Sequence, residues 1–162
     1  MDSKAKVYGM VKNFDNAMLV TTGPGKHPES RPMHIAKVEE GGDVWFFTSK
    51  NGRVVQEIAE EPMVLLVFQD ERSAYVSLRG RAREVQDRER VKQLWSEAYK
   101  VWFPGGLSDP ELALMAVDPV AAEYWDNRGT NKLEYIFEAV KAYVKGEKPE
   151  PADADQHARV SM

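Results

Sequence analysis

The sequence contains no cysteine, which excludes disulfides, thiolate nucleophiles and thiolate metal ligands together. Long apolar runs are also missing, and nothing approaches the ~20 residues of a membrane-spanning helix. The first stretch, MDSKAKVYGMVKNFDNAMLV, is broken by Lys4, Lys6, Lys12 and Asp15, unlike the unbroken apolar centre of a secretion signal. Positive charge is not in excess: 22 basic residues face 26 acidic ones, a net charge of −4, so attraction to nucleic acid or an anionic membrane surface is not expected. Histidine is sparse. His27, His34 and His157 fall in a turn, a strand and a tail, without the spacing of a metal site or a nucleophile and its base. The glycines of GPGKHP lack the order of a phosphate-binding loop, and Glu39-Glu40 and Asp70-Glu71 sit in turns, where solvated charge is the ordinary role. These absences point to a cytoplasmic protein with no metal, nucleic-acid or membrane partner.

What is present is a chain of 162 residues with 43% hydrophobic and 10% aromatic residues. That length suffices for one core burying roughly two thirds of the unfolded surface. A single domain over residues 1–147, followed by a polar tail over 148–162, is the simplest division. Val7, Met10, Val11 and Phe14 recur at helical spacing near the start. Strands are predicted at 17–22, 30–38, 43–49, 63–68 and 75–85, with a helix over 51–60 broken before Pro62. In 75–85, Val76, Leu78, Gly80 and Ala82 alternate with Ser77, Arg79, Arg81 and Arg83, which puts three arginines on one face, ordinarily a solvated one. Helical spacing over 87–102 predicts a helix. Ser108 and Glu111 fit a capping box opening a second over 109–116, 121–126 reads as a short strand, and a last helix is expected from Asn131 to Val144. Antiparallel strands with late helices argue for a mainly β, α+β fold: a barrel with helical decoration, not a parallel doubly wound sheet.

Single residues say little alone. Arg31 on a strand is ordinarily solvated, and Trp45, Trp95, Trp102 and Trp125 are ordinarily core. The combination of ESRPM, DVWFFTS, YVSLRG, LWSEAYKVWFPGGLSDPELALMAVDP and AEYWD is more informative. In order and spacing it resembles the general stress protein 26 group of the pyridoxamine 5′-phosphate oxidase-like superfamily, the flavin-binding split barrels. The resemblance implies a six-stranded antiparallel Greek-key split barrel with flanking helices, forming a homodimer with one flavin mononucleotide (FMN) at each end of the subunit interface.

By the same resemblance Arg31, Pro32 and Met33 run beside the flavin, Arg31 reaching toward its phosphate. Phe47, Thr48 and Ser49 match ring and ribityl contacts, and Arg53 matches a phosphate-binding arginine. Tyr75 and Val76 match a strand contributed by the partner subunit, and Trp125 an aromatic near the ring. The chain departs from the pattern at Gly52 and Val54, where many relatives carry serine and lysine, so one hydroxyl and one cation of the phosphate cradle are missing. FAD or a deazaflavin is the alternative ligand. His157 and Arg159 lack the context that serves substrate binding in true pyridoxamine phosphate oxidases. The expected function is flavin-dependent oxidoreduction of a small substrate, with NAD(P)H as a candidate electron donor. The alternatives are a non-catalytic flavin carrier or sensor, and a dimeric scaffold with a degraded site.

Overall fold

The computed structural model describes residues 2–128 and 156–162. Among the described residues seven strands follow one another: β1 (Asn16–Thr22), β2 (Pro28–Val38), β3 (Val44–Ser49), β4 (Met63–Gln69), β5 (Ala74–Val85), β6 (Leu112–Asp126) and β7 (His157–Ser161). Their spatial order is β3-β2-β1-β4-β5-β6-β7, every pair antiparallel, and β3 also pairs with β6, closing the first six into a barrel. The 3-2-1-4 order of the first four strands is a Greek key. Its long connection, from β3 to β4, carries helix α2 (Arg53–Glu60).

Strand alternation builds the core. Leu19, Phe46, Leu66, Phe68, Leu78 and Met115 are fully buried inside the barrel. Arg79, Arg81 and Arg83 on the opposite face of β5 are exposed, as their alternation predicts. The N-terminal helix α1 (Ser3–Val11), capped by the Asp2 carboxylate accepting from the Lys4 amide, adds Val7, Met10 and Val11 to the same core.

The fifteen-residue β6 organises the rest. Its first half, Leu112–Val117, pairs with β3; its second half, Ala121–Trp125, leaves β3 and takes β7 on the same side. Beside the crossover, Gly80 of β5 faces Pro119 at a register shift. A Cβ on Gly80 would lie 2.6 Å from both the Asp118 carbonyl oxygen and Val117 Cγ1, so only glycine fits this close approach.

Three expectations are corrected. Residues 112–116 are strand, not helix. This segment is buried on both faces, Met115 and Val117 toward the barrel core and Leu114 and Ala116 toward a second cluster with Trp45, Phe47, Tyr99 and Phe103, and a run buried on both faces carries no strand alternation. The Ser108–Glu111 pair is not a capping box: Glu111 accepts instead from Ser49 Oγ at 2.8 Å and Asn51 Nδ2 at 2.7 Å. The helix expected over 87–102 ends early, as α3 (Arg88–Leu94). The chain then extends at Trp95 and resumes as a 3-10 turn over Glu97–Val101, with Ser96 Oγ accepting from the Ala98 amide. Across the break, Trp95 and Tyr99 both pack onto Phe47. The strand read at 121–126 is the distal half of β6. The helix expected from Asn131 to Val144 lies outside the described residues, and the polar reading of 148–162 did not foresee β7.

Candidate functional site

Strands β2 and β3 pair only between Ile35–Val38 and Val44–Phe46, with a register shift between Ile35 and Lys37. Beyond that they part. Pro28–His34 stays on β1 while Phe47–Ser49 stays on β6. The gap is a cavity of about 540 Å³, with Pro32, Met33 and His34 on one wall and Phe47, Thr48 and Ser49 on the other. Pro32 therefore sits where β2 is an edge on its β3 side, a position that tolerates a residue with no N–H to donate.

The segment after α3 covers this gap with Tyr99, Trp102 and Phe103. Phe47 and Tyr99 meet edge to face at 4.7 Å, Phe47 and Trp95 at 5.9 Å, and Tyr99 lies 5.7 Å from the His34 ring and 6.3 Å from Trp102. Such tilted aromatic pairs hold one another's orientation. Tyr99 is 6% exposed, and burial raises its phenol pKa, so Tyr99 Oη keeps its proton at neutral pH. Trp102 is 64% exposed, although its helical spacing predicted core: a large indole stands at the mouth of the cavity with most of its surface uncovered.

A second arrangement lies under α2. Val54, Glu57 and Ile58 share the helix's buried face, so a carboxylate enters an otherwise apolar stripe. Arg31 Nη2 donates to Glu57 Oε2 at 2.8 Å and Arg31 Nη1 to Thr21 Oγ1 at 2.5 Å, while Thr21 Oγ1 donates to Glu57 Oε2 at 2.5 Å. Arg53 Nη2 stands 3.4 Å from Glu57 Oε1 and 3.3 Å from Glu29 Oε1. Burial pushes the Glu57 carboxyl pKa up, but the Thr21 hydroxyl and the Arg31 and Arg53 charges outweigh it and hold Glu57 below the usual carboxylate range.

Of the ten residues singled out in the sequence, the cavity gathers Pro32, Met33, Phe47, Thr48 and Ser49. Arg31 and Arg53 are brought together through Glu57, on the side of β2 shared with Leu19 and Thr21. Tyr75, Val76 and Trp125 lie elsewhere. Trp125 is eleven residues along β6 from Leu114, the partner of Phe47, a span of up to about 36 Å in extended strand. There it pairs with Tyr75 and stacks on His157 at 5.1 Å, while the Val76 side chain is buried in the barrel. Lys50, next to the cavity residue Ser49 in sequence, lines a different groove beside Asp87 and Ser108. Sequence reasoning missed Tyr99 and Phe103, whose signal was the density of aromatics in YKVWF, and Glu57, whose signal was its i+3 position from Val54.

The donor set fits a flavin unevenly. A planar aromatic ring suits a slot walled by Met33, Phe47, Tyr99 and Trp102. The two arginines that the resemblance assigns to a phosphate, Arg31 and Arg53, are already matched by two carboxylates, those of Glu29 and Glu57.

Residues 2–150 match the family model described as pyridoxamine 5′-phosphate oxidase like. General stress protein 26 of Bacillus subtilis is 31% identical over 122 residues, 73% of this chain and 84% of that protein. Among solved structures, the general stress FMN/FAD binding protein from Xanthomonas citri is 30% identical with a TM-score of 0.68, covering 79% of this chain and 91% of that one. General stress protein 26 from Bacillus anthracis has the same fold at 18% identity, with a TM-score of 0.66 over 76% of this chain and 94% of its own.

Proposed function

Since the chain belongs to the pyridoxamine 5′-phosphate oxidase-like family, in its general stress protein 26 group, we propose that it binds a flavin with the ring in the cavity between β2 and β3 and uses it for oxidoreduction of a small molecule. The observation that carries this reading is the parting of those two strands. Five side chains that the sequence nominated for flavin contact converge on the one gap, and an aromatic roof covers it. A bound flavin supplies hydride acceptance and donation, chemistry that no side chain of this protein offers. Met33, Phe47, Tyr99 and Phe103 exclude water from the ring's faces, and Trp102 closes the mouth. Thr48 and Ser49 present hydroxyls along one wall, Ser49 fixed by its bond to Glu111. Tyr99 Oη holds a proton in the roof, and the exposed His34 ring lies at the cavity wall.

A homodimer belongs to the same reading. Trp125 on β6 and its β5 partner Tyr75 stand too far from their own chain's cavity to reach it, so a role in flavin contact requires a second copy. A flavin carrier or sensor is the second reading, favoured by the balanced charges around Arg31 and Arg53, which suit reversible binding. Titration of the purified protein with flavin, followed by anaerobic addition of NADH or NADPH, separates the two. Saturable binding with bleaching of the flavin bands supports the oxidoreductase, and binding without bleaching by either nicotinamide supports the carrier. Absence of binding contradicts both.

A further inference from the structure

We infer that Glu57 acts as a resident counter-anion at the phosphate end of the site, so that this chain recognises a flavin by its ring and ribityl chain and discriminates little between riboflavin and its 5′-phosphate. The inference rests on the flavin reading above and concerns which flavin that site takes.

A phosphate-binding arginine works by offering two parallel N–H groups to a dianion. In this chain each terminal nitrogen of Arg31 already gives one N–H internally, Nη2 to Glu57 and Nη1 to Thr21, so the guanidinium is oriented by its own chain. The second guanidinium, on Arg53, is shared between Glu57 and Glu29. Two positive and two negative charges leave this locus without net charge, so a phosphate placed against it gains less attraction than two unpaired guanidiniums would give.

Glu57 cannot readily step aside. Its side chain is 7% exposed, it lies on the helix face that carries Val54 and Ile58 into the core, and removing it from Arg31 breaks a largely buried ion pair. Nor do neighbouring positions restore what the pair withholds. Val54, where a lysine would supply a cation, is itself buried in the core. At Gly52 a Cβ would stand 3.0 Å from the Ser49 carbonyl oxygen, tighter than ordinary contact, so a serine hydroxyl enters only if Ser49 gives way. The Glu57 carboxylate and the two missing donors act in the same direction. The ring slot between β2 and β3 depends on none of these groups.

The test is a pair of fluorescence-quenching titrations, riboflavin and FMN, on the full chain and on Glu57→Gln at one fixed ionic strength. The wild-type dissociation constants are expected to agree within about tenfold. Glu57→Gln keeps the shape but removes the charge, and is expected to tighten FMN by about ten- to a hundredfold, the worth of one charge-assisted hydrogen bond, with little change for riboflavin. A role of Glu57 confined to pinning α2 would lower the melting temperature of the variant and leave the ratio of the two constants unmoved, which overturns the inference. So does a wild-type preference for FMN beyond about tenfold, a measurement that stands even if the variant fails to fold. If neither flavin binds the wild type, the flavin reading itself falls; if both bind but FMN dominates, only the inference does.

Discussion

Arg31 and Glu57, on β2 and α2, are joined at 2.8 Å with Thr21 closing the triangle, so the guanidinium that the sequence assigns to a ligand already holds a partner inside its own chain. The contact ties the Greek-key crossover helix to the barrel wall and sets the charge of the neighbouring site.

Loss of Glu57 leaves Arg31 partly buried without its anion. Glu57→Ala is expected to destabilise the protein by about 1–3 kcal/mol, read from urea unfolding. A smaller loss for Glu57→Gln fits the retained shape.

The same pair gives an acid limb. Glu57 is held below the usual carboxylate range when folded, so its contribution to stability is complete above the unfolded carboxylate pKa and is lost as pH falls through the lowered folded one. Melting temperatures of wild type and Glu57→Gln between pH 7 and 3 should converge at the acidic end. Parallel curves across that range would deny Glu57 this role.

Trp102 separates binding from folding. With 64% of its surface exposed it contributes little to the core, and Trp102→Ala is expected to change stability by no more than about 0.5 kcal/mol. Loss of one aromatic contact to a ring in the cavity should weaken flavin binding by about two- to tenfold. Phe47→Ala, which removes a buried ring packed on Trp95 and Tyr99, is expected to cost about 3–5 kcal/mol in stability.

Gly80→Ala tests the crossover in β6. Its Cβ would meet the Asp118 carbonyl and Val117 at 2.6 Å, both in a paired strand that cannot shift freely, and a loss of about 1–3 kcal/mol is expected in thermal or urea unfolding. An unchanged midpoint would mean that the β5–β6 register relaxes more easily than its pairing suggests.

Much of the barrel is legible in the sequence because β1, β2, β4 and β5 either alternate or are bounded by turn residues, and their edges fall within a residue or two of expectation. The first half of β6 is not, because burial on both faces erases the alternation that marks a strand, and an apolar run preceded by Ser108 and Glu111 looks like a helix start. β7 is hidden by polarity: of its five residues only Val160 is buried, the others lying on an outer strand. The two walls of the cavity were legible as short motifs, Pro32–Met33 and Phe47–Ser49. Its roof was not, since the break between Trp95 and Glu97 shifts the helical register that had placed Trp102 in the core. The Val76 side chain lies inside the barrel, a placement its period-two alternation predicts.

The most direct test of the flavin cavity is the stoichiometry of riboflavin binding to the purified chain, followed by quenching of flavin fluorescence and repeated with Trp102→Ala. One flavin per chain is expected, with weaker binding in the variant at an unchanged melting temperature. Absence of saturable quenching in folded wild-type protein, or identical binding curves for the two proteins, would contradict a ring site between β2 and β3 beneath Trp102.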